Sequence, residues 1–193
     1  MMPQNQSNQT SIEQLFSMGW ISHSDKDETF DATASVTRSE LAQVLGKAFK
    51  LHQRTTAENP AIFIQDMTSD RPDYAAIQIA LKTGTMTVDN QGRFFPDRPV
   101  TRAEGLAIFA QAYGVFQLSE NAVTDLLNQH PDALNIPDWA KQAIATALQE
   151  GFVNTDRNQA IRPLEPMTRN DLAYALIQYL EKQQNPAFVS EYL

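Results

Sequence analysis

Three arginines stand at equivalent places in a recurring pattern, and they are the residues of this chain best suited to binding chemistry. Each follows a threonine and comes two residues before an acid, in Thr37-Arg38-Ser39-Glu40, Thr101-Arg102-Ala103-Glu104 and Thr168-Arg169-Asn170-Asp171. A helix N-cap threonine with an acid three residues later forms a capping box, which explains the threonine and the acid structurally. Arginine is not needed for capping, and a cation at a helix N-terminus opposes the helix dipole.

A repeated, locally unfavourable cation has two explanations, and the sequence leaves both open. One is a functional role for the three arginines. The other is an internal ion pair with a nearby carboxylate, for which Asp97 and Glu165 are candidates. The third motif has Asp171 in place of glutamate, and its shorter side chain leaves the reciprocal capping bond of that motif in question.

The arginines belong to a threefold internal repeat. Gly19, Gly84 and Gly151 precede the Thr-Arg pairs by 18, 17 and 17 residues (37−19, 101−84, 168−151), and successive glycines are 65 and 67 residues apart (84−19, 151−84). Repetition of this kind is typical of units that bury a common core. Each glycine stands where a helix C-cap with positive φ is expected.

The apolar pattern predicts an all-α fold of three helix–loop–helix units that share one core. Spacings of three and four residues place Tyr74, Ile77 and Leu81 on one helical face, and a further helix is expected from Ser119 to Gln129 with Ser119 as its N-cap. The units form one domain with these predicted bounds: a polar leader 1–10, unit one 11–51, unit two 63–115, a connecting helix 116–131, unit three 132–183 and a tail 184–193.

Composition excludes several classes of function. The 193 residues carry a net charge of −8 with a pI near 4.8, which argues against a general nucleic-acid binder. No cysteine is present, so disulfides, thiol nucleophiles and cysteine-type zinc sites are excluded. No apolar run is long enough to span a membrane. We find no phosphate loop, nucleophile elbow or linked catalytic residues, so neither an enzyme nor a cofactor is expected.

Two metal patterns are weak. Asn154, Asp156, Asn158 and Glu165 fall at ligand positions of a calcium loop, but Gln159 replaces the glycine of the sharp turn, so a polar turn is the default interpretation. Asp25, Asp27 and Asp31 match the same template more loosely. The three histidines share no ligand spacing, and no metal site is predicted.

The repeats resemble S-layer homology (SLH) domains. Unit two shows the resemblance in nearly every element, namely Phe63-Ile64-Gln65-Asp66, Tyr74-Ala75-Ala76-Ile77, Gly84-Thr85-Met86, Gly92-Arg93-Phe94-Phe95-Pro96 and Val100-Thr101-Arg102-Ala103-Glu104. Unit three retains Ile136-Pro137-Asp138-Trp139-Ala140, Gly151-Phe152-Val153, Arg162-Pro163 and Met167-Thr168-Arg169. Unit one is degenerate and keeps Gly19-Trp20-Ile21, Phe30 and Val36-Thr37-Arg38-Ser39-Glu40.

The resemblance implies a pseudo-threefold arrangement around a central helical bundle, with grooves between lobes. It implies binding of an acidic secondary cell-wall polysaccharide, often one bearing ketal-linked pyruvate. By position, Arg38, Arg102 and Arg169 are the candidate carboxylate binders, since a guanidinium presents a planar fork of donors. Trp139 and Tyr74 are candidate sugar platforms; for both, core packing is the preferred alternative because they lie at helical spacing.

Two functions follow as hypotheses. The leading one is a non-catalytic module that anchors a bacterial protein to the cell envelope by binding wall polysaccharide. The alternative is an intracellular protein-interaction scaffold with an SLH-like fold, because residues 1–10 carry no basic and apolar export signal. The expected location is the cell surface if the chain is a segment of an exported protein, and the cytoplasm if its first residue is the native start.

Overall fold

A helix follows each Thr-Arg motif, and another helix precedes each motif along the chain. The structure is a computed structural model that describes residues 13–21, 30–56 and 60–184. In chain order its helices are α1 (13–17), α2 (Arg38–Ala48), α3 (Tyr74–Lys82), α4 (Arg102–Tyr113), α5 (Glu120–Leu127), α6 (Lys141–Gln149) and α7 (Arg169–Gln184). Short 3₁₀ turns occupy Leu51–Arg54, Ala133–Asn135 and Asp138–Ala140. The described ranges contain isolated bridges but no strand, so the all-α prediction is confirmed.

Each motif threonine caps a helix as predicted. Its Oγ1 accepts the N3 amide at 3.2 Å in α2, α4 and α7. In α4 the box is complete, because Glu104 Oε2 accepts from Thr101 N at 2.9 Å. Asp171 also returns this bond, from Thr168 N at 2.8 Å, so its shorter side chain is long enough. The predicted helix after Ser119 is confirmed as α5, with Ser119 Oγ accepting from Ala122 N at 3.3 Å.

A closed ring of backbone hydrogen bonds joins the residues just before the three motifs. Val36 N donates to Met167 O at 2.9 Å, Met167 N to Val100 O at 2.9 Å, and Val100 N to Val36 O at 3.0 Å. The ring links the three units at equivalent points of the chain. The pseudo-threefold arrangement of whole units stays a prediction.

The first amide of each motif helix is bonded to the loop of a different unit. The three bonds are Arg38 N to Arg98 O at 3.0 Å, Arg102 N to Glu165 O at 2.8 Å and Arg169 N to Ala34 O at 2.9 Å. The first amides of a helix have no partner within it, so these carbonyls satisfy donors that would otherwise need water. Each motif arginine is therefore held at a junction between two units.

Central helices from all three units contribute to one apolar cluster. Leu45 of α2, Phe109 of α4 and Leu176 of α7 are fully buried in it. A second cluster surrounds Ile77 and Phe94 of unit two. This is the shared core that repeated units with little apolar surface of their own require. Residues 1–12, 22–29, 57–59 and 185–193, which include the predicted leader, Asp25 and Asp27, lie outside the described residues.

Two helical glycines are expected to respond to alanine in opposite directions. A Cβ at Gly46 would meet nothing within 4 Å, whereas a Cβ at Gly105 would lie 2.1 Å from Met167 Sδ, and Met167 is fully buried. Gly46→Ala should raise the free energy of unfolding by up to about 1 kcal/mol through helix propensity. Gly105→Ala should lower it by about 1–3 kcal/mol through overpacking. Urea unfolding measures both.

A second substitution identifies the cause of the expected Gly105→Ala loss. The positions equivalent to Met167 are Val36 and Val100, and those equivalent to Gly105 are Leu41 and Leu172. Methionine thus fills the space that a larger helical residue occupies in the other units. Adding Met167→Val to Gly105→Ala should recover most of the lost stability, and a double variant no more stable than Gly105→Ala would contradict this explanation.

Candidate functional site

Residues from all three units line an open cleft of about 360 Å³ beside Arg38. We call it the Arg38 cleft; it is lined by Arg38 of unit one, by Gly84, Thr85, Met86, Thr87, Glu104, Ala107, Ile108 and Gln111 of unit two, and by Trp139 and Ala143 of unit three. The cleft combines a cation, an indole and a short stretch of backbone after a helix. Such a combination suits a ligand with an anionic group and an apolar face.

Arg38 is held on its inner side by main-chain carbonyls. Its Nε donates to Phe94 O at 2.6 Å and its Nη2 to Thr87 O at 2.7 Å, while the guanidinium carbon lies 4.5 Å from the centre of the Phe94 ring. Burial lowers the pKa of Arg38 below its ordinary value, and the nearby charge of Arg98 adds to this effect. Among the described residues, no carboxylate forms an ion pair with Arg38. Its charge is therefore positioned but not neutralised by direct contact.

The Asp66 carboxylate holds the loop that supplies the Phe94 carbonyl. Asp66 accepts from Phe94 N at 2.8 Å and from Phe95 N at 2.7 Å, and Phe95 has a φ of 57°. Asp132 makes the matching pair of bonds in unit three, to Ile161 N at 2.9 Å and Arg162 N at 2.6 Å. Left-handed backbone at a bulky residue is uncommon and must be held by its surroundings.

Arg102 has a different environment, in which its guanidinium contacts other residues of the protein interior. The residue is fully buried, and its Nη1 lies 2.6 Å from Asp171 Oδ1. It also donates to Ile161 O at 2.7 Å, Asn154 Oδ1 at 3.0 Å and Asn154 O at 2.8 Å. These contacts use the donors of the fork, so Arg102 joins units two and three in this arrangement.

Arg169 is partly buried and also lies against an acid. Its Nε is 2.7 Å from Glu40 Oε1, with an orientation that makes the contact an ion pair rather than a hydrogen bond. The ion-pair explanation therefore holds for Arg102 and Arg169, but the predicted partners were wrong. Asp97 pairs with Arg71 and Glu165 with Arg162, whereas the motif arginines pair with the motif acid of a neighbouring unit.

The two candidate sugar platforms lie in different surroundings. Trp139 is 63 % exposed and lines the Arg38 cleft, so the preferred core-packing interpretation is wrong for this residue. It lies in the 3₁₀ turn before α6, where the helical spacing used for the prediction does not apply. Tyr74 is partly buried against the cluster of Ile77 and Phe94, and its hydroxyl accepts from Gln78 Nε2 at 3.2 Å, in line with core packing.

Sequence reasoning missed two residues at this site, one that lines the cleft and one that pairs with a lining residue. Gln111 lines it one turn after Ala107, but its type and spacing carry no signal in the sequence. Arg98 pairs with Glu104 at the same junction, at 2.9 Å, and stands outside every repeated motif. Gly84 to Met86 had a signal, since Gly84-Thr85-Met86 belongs to the pattern that repeats.

Asp156, at a ligand position of the calcium-loop template, accepts hydrogen bonds from backbone amides. Asp156 Oδ1 accepts from Asn158 N at 2.8 Å and from Ala160 N at 2.9 Å, which is the bonding of a polar turn. His130 Nδ1 lies 2.6 Å from Gln159 O. Within the described ranges, no group of three or more His, Cys, Asp or Glu side chains is placed to hold a metal ion. None of the described helices has the length and apolarity needed to cross a lipid bilayer.

Comparison with known proteins supports two of the three predicted repeats. The family model of the S-layer homology domain matches residues 65–104 and 131–173, in units two and three. The chain is 27% identical over 160 residues to an amylopullulanase of Thermoanaerobacterium thermosulfurigenes, covering 82% of this chain and 8% of that protein. It is 26% identical over 176 residues to the surface-layer 125 kDa protein of Lysinibacillus sphaericus, covering 88% and 14%.

A third relative has a name that refers to anchoring. The cellulosome-anchoring protein of Acetivibrio thermocellus is 22% identical over 156 residues, covering 79% of this chain and 34% of that protein. The chain thus spans about a third or less of the length of these relatives. The family model of the S-layer homology domain matches two segments of this chain, which together make up less than half of its residues.

Proposed function

We propose that this chain is a non-catalytic module that binds an acidic cell-wall polysaccharide and so anchors its parent protein to the bacterial envelope. The observation that carries the proposal is Arg38, a fixed guanidinium without an ion-paired carboxylate among the described residues, in an open cleft beside an exposed tryptophan. The matched S-layer homology segments and a relative named as a cellulosome-anchoring protein support the same function.

The chemistry of the cleft favours a sugar that bears a carboxylate. A guanidinium donates two parallel N–H groups to a carboxylate, which gives direction as well as strength to the contact. Trp139 offers a wide apolar face a short distance away, on which a pyranose ring can rest. With a net charge of −8, the domain attracts an anion only where a cation is locally placed, and Arg38 is such a cation. A ketal-linked pyruvate is the carboxylate we propose for this position.

Arg38→Gln is expected to reduce retention of the domain on purified wall polysaccharide. Loss of one charge-assisted contact should weaken binding roughly 10- to 100-fold, because such contacts contribute about 1.5–3 kcal/mol. Arg38→Lys should fall in between, since it keeps the charge and loses the fork. Trp139→Ala should weaken binding as well. Co-sedimentation at several polysaccharide concentrations measures all three.

Two controls test whether a loss of binding comes from the cleft itself and not from unfolding or from a general loss of charge. Arg157→Gln removes an exposed arginine that does not line the cleft, and it should bind as the wild type does. Urea unfolding must show that Arg38→Gln is folded under the binding conditions. Equal retention of wild type and a folded Arg38→Gln variant would reject the site, and failure of the wild-type protein to associate with walls would favour the protein-interaction scaffold.

A further inference from the structure

The three motif arginines occupy equivalent junctions, but Arg38 lacks the ion pair with a motif acid that the other two form. At two junctions the arginine contacts the motif acid of the next unit: Arg102 with Asp171 at 2.6 Å and Arg169 with Glu40 at 2.7 Å. The corresponding acid for Arg38 is Glu104. It lines the same cleft as Arg38, but it forms its ion pair with Arg98 instead.

Arg98 occupies both oxygens of the Glu104 carboxylate. Its Nη2 donates to Oε1 at 2.9 Å and its Nη1 to Oε2 at 3.2 Å, and Oε2 also accepts the Thr101 amide at 2.9 Å. A bidentate arginine is the strongest side-chain partner a carboxylate has. Glu104 is thereby directed toward Arg98 and its own helix cap.

No arginine stands at the position of Arg98 at the other two junctions; at one of them Arg162 Nη2 lies 3.9 Å from Asp171 Oδ1, but Asp171 stays closer to the motif arginine, with Arg102 Nη1 at 2.6 Å. The backbone bonds at the helix starts align Arg98 with Glu165 and Ala34, because each of the three carbonyls accepts the first amide of a motif helix. Of the three equivalent positions, only position 98 is an arginine, and it lies at the one junction whose motif arginine lacks an ion pair among the described residues. The Arg98–Glu104 pair is partly exposed, with side chains 43% and 24% exposed.

We propose that Arg98 is a positioning residue that captures Glu104 and so keeps Arg38 open to an anionic ligand. This inference rests on the proposed function and deepens it. Arg98 acts in two ways. It prevents Glu104 from closing on Arg38, as the acids at the other junctions close on theirs, and it neutralises a carboxylate that would repel an anion in the cleft. The ligand class is a carboxylate-bearing sugar, with a ketal-linked pyruvate as the specific case.

A double-mutant cycle tests the inference. The variants are Arg98→Gln, Glu104→Gln and the pair together; glutamine at position 104 can still accept the Thr101 amide, so the helix cap is preserved. The probe is a synthetic methyl glycoside with a 4,6-ketal-linked pyruvate, with the same glycoside lacking pyruvate as the control. Arg98→Gln should weaken binding about tenfold, since Glu104 then competes for Arg38. Glu104→Gln and the double variant should bind within about threefold of wild type.

A second measurement separates this inference from the proposed function. The Arg38 Nε–Hε resonance in ¹H–¹⁵N spectra, without ligand, should shift in Arg98→Gln as Glu104 approaches, and return in the double variant. An unshifted resonance, or a double variant that binds as weakly as Arg98→Gln, overturns the inference. If the wild type does not bind the pyruvylated glycoside, the proposed function fails in that form, and the Arg38 resonance alone decides whether Arg98 controls Arg38.

Discussion

Replacing Arg102 with alanine is expected to lower the free energy of unfolding by about 3–5 kcal/mol, the range for breaking one partner of a buried ion pair. The variant leaves Asp171, only 4 % exposed, with Arg162 at 3.9 Å as its nearest cation in place of Arg102 at 2.6 Å, and it leaves Ile161 O and Asn154 O without their side-chain donor. A buried acceptor that loses its donor costs far more than the net gain of the bond it made. Urea unfolding followed by circular dichroism gives the measurement.

Arg157→Ala is the matched control, because it removes an arginine that is exposed in the turn of unit three. It should change stability by no more than about 0.5 kcal/mol. Arg102→Lys should recover part of the loss by keeping a charge near Asp171. A loss below about 1 kcal/mol for Arg102→Ala would mean that the guanidinium does not hold the two units together.

The second large effect expected is loss of stability in acid. The pKa of Asp73 is lowered by its hydrogen bond from Arg71, with Ser39 also donating to the carboxylate. For Asp171, burial acts to raise the pKa, but the Thr168 amide and the charge of Arg102 outweigh burial, and the pKa is lowered. Both carboxylates are nearly inaccessible, and both join different parts of the fold.

The sign of the pH effect follows from these directions. A carboxyl whose pKa is lower in the folded protein than in the unfolded chain contributes stability at pH values above its unfolded pKa, which is about 3.9 for aspartate. That contribution is lost as the pH falls through the pKa of the folded protein. The free energy of unfolding should therefore decrease progressively below about pH 4. Asp171→Asn should flatten this decrease, and Asp125→Asn, at an exposed site on α5, should leave it unchanged. A wild-type curve flat from pH 6 to pH 2 would contradict the assignment.

The motif arginines have two different environments in this chain, since Arg102 and Arg169 pair with a motif acid and Arg38 does not, whereas the capping half of the motif was predictable. Threonine Oγ1 reaches the N3 amide through local geometry alone, so Thr37, Thr101 and Thr168 could be assigned without knowledge of any neighbour. Helix faces and glycine stops are likewise local, and α3, α4 and α5 begin within a residue or so of the predicted positions.

The ion-pair partners of the motif arginines were not predictable from local geometry. Which carboxylate each guanidinium meets depends on the residue that another unit places at the junction, 69 positions away for Arg102 and Asp171 (171−102) and 129 for Arg169 and Glu40 (169−40). Asp171 and Glu40 fit the capping position of their own helices, and nothing in their local spacing shows that they also neutralise an arginine. The prediction for Trp139 is wrong for the related reason that a 3₁₀ turn, not an α-helix, contains this residue.

What the amino-acid order determined by itself is the all-α class and the capped starts of the motif helices, because both depend on contacts within a few residues. Only the tertiary structure decided which motif arginine lacks an ion pair among the described residues. Charge pairing across a junction is set by distance in space: Arg98, outside every motif, pairs with Glu104, and Arg38 lines the cleft.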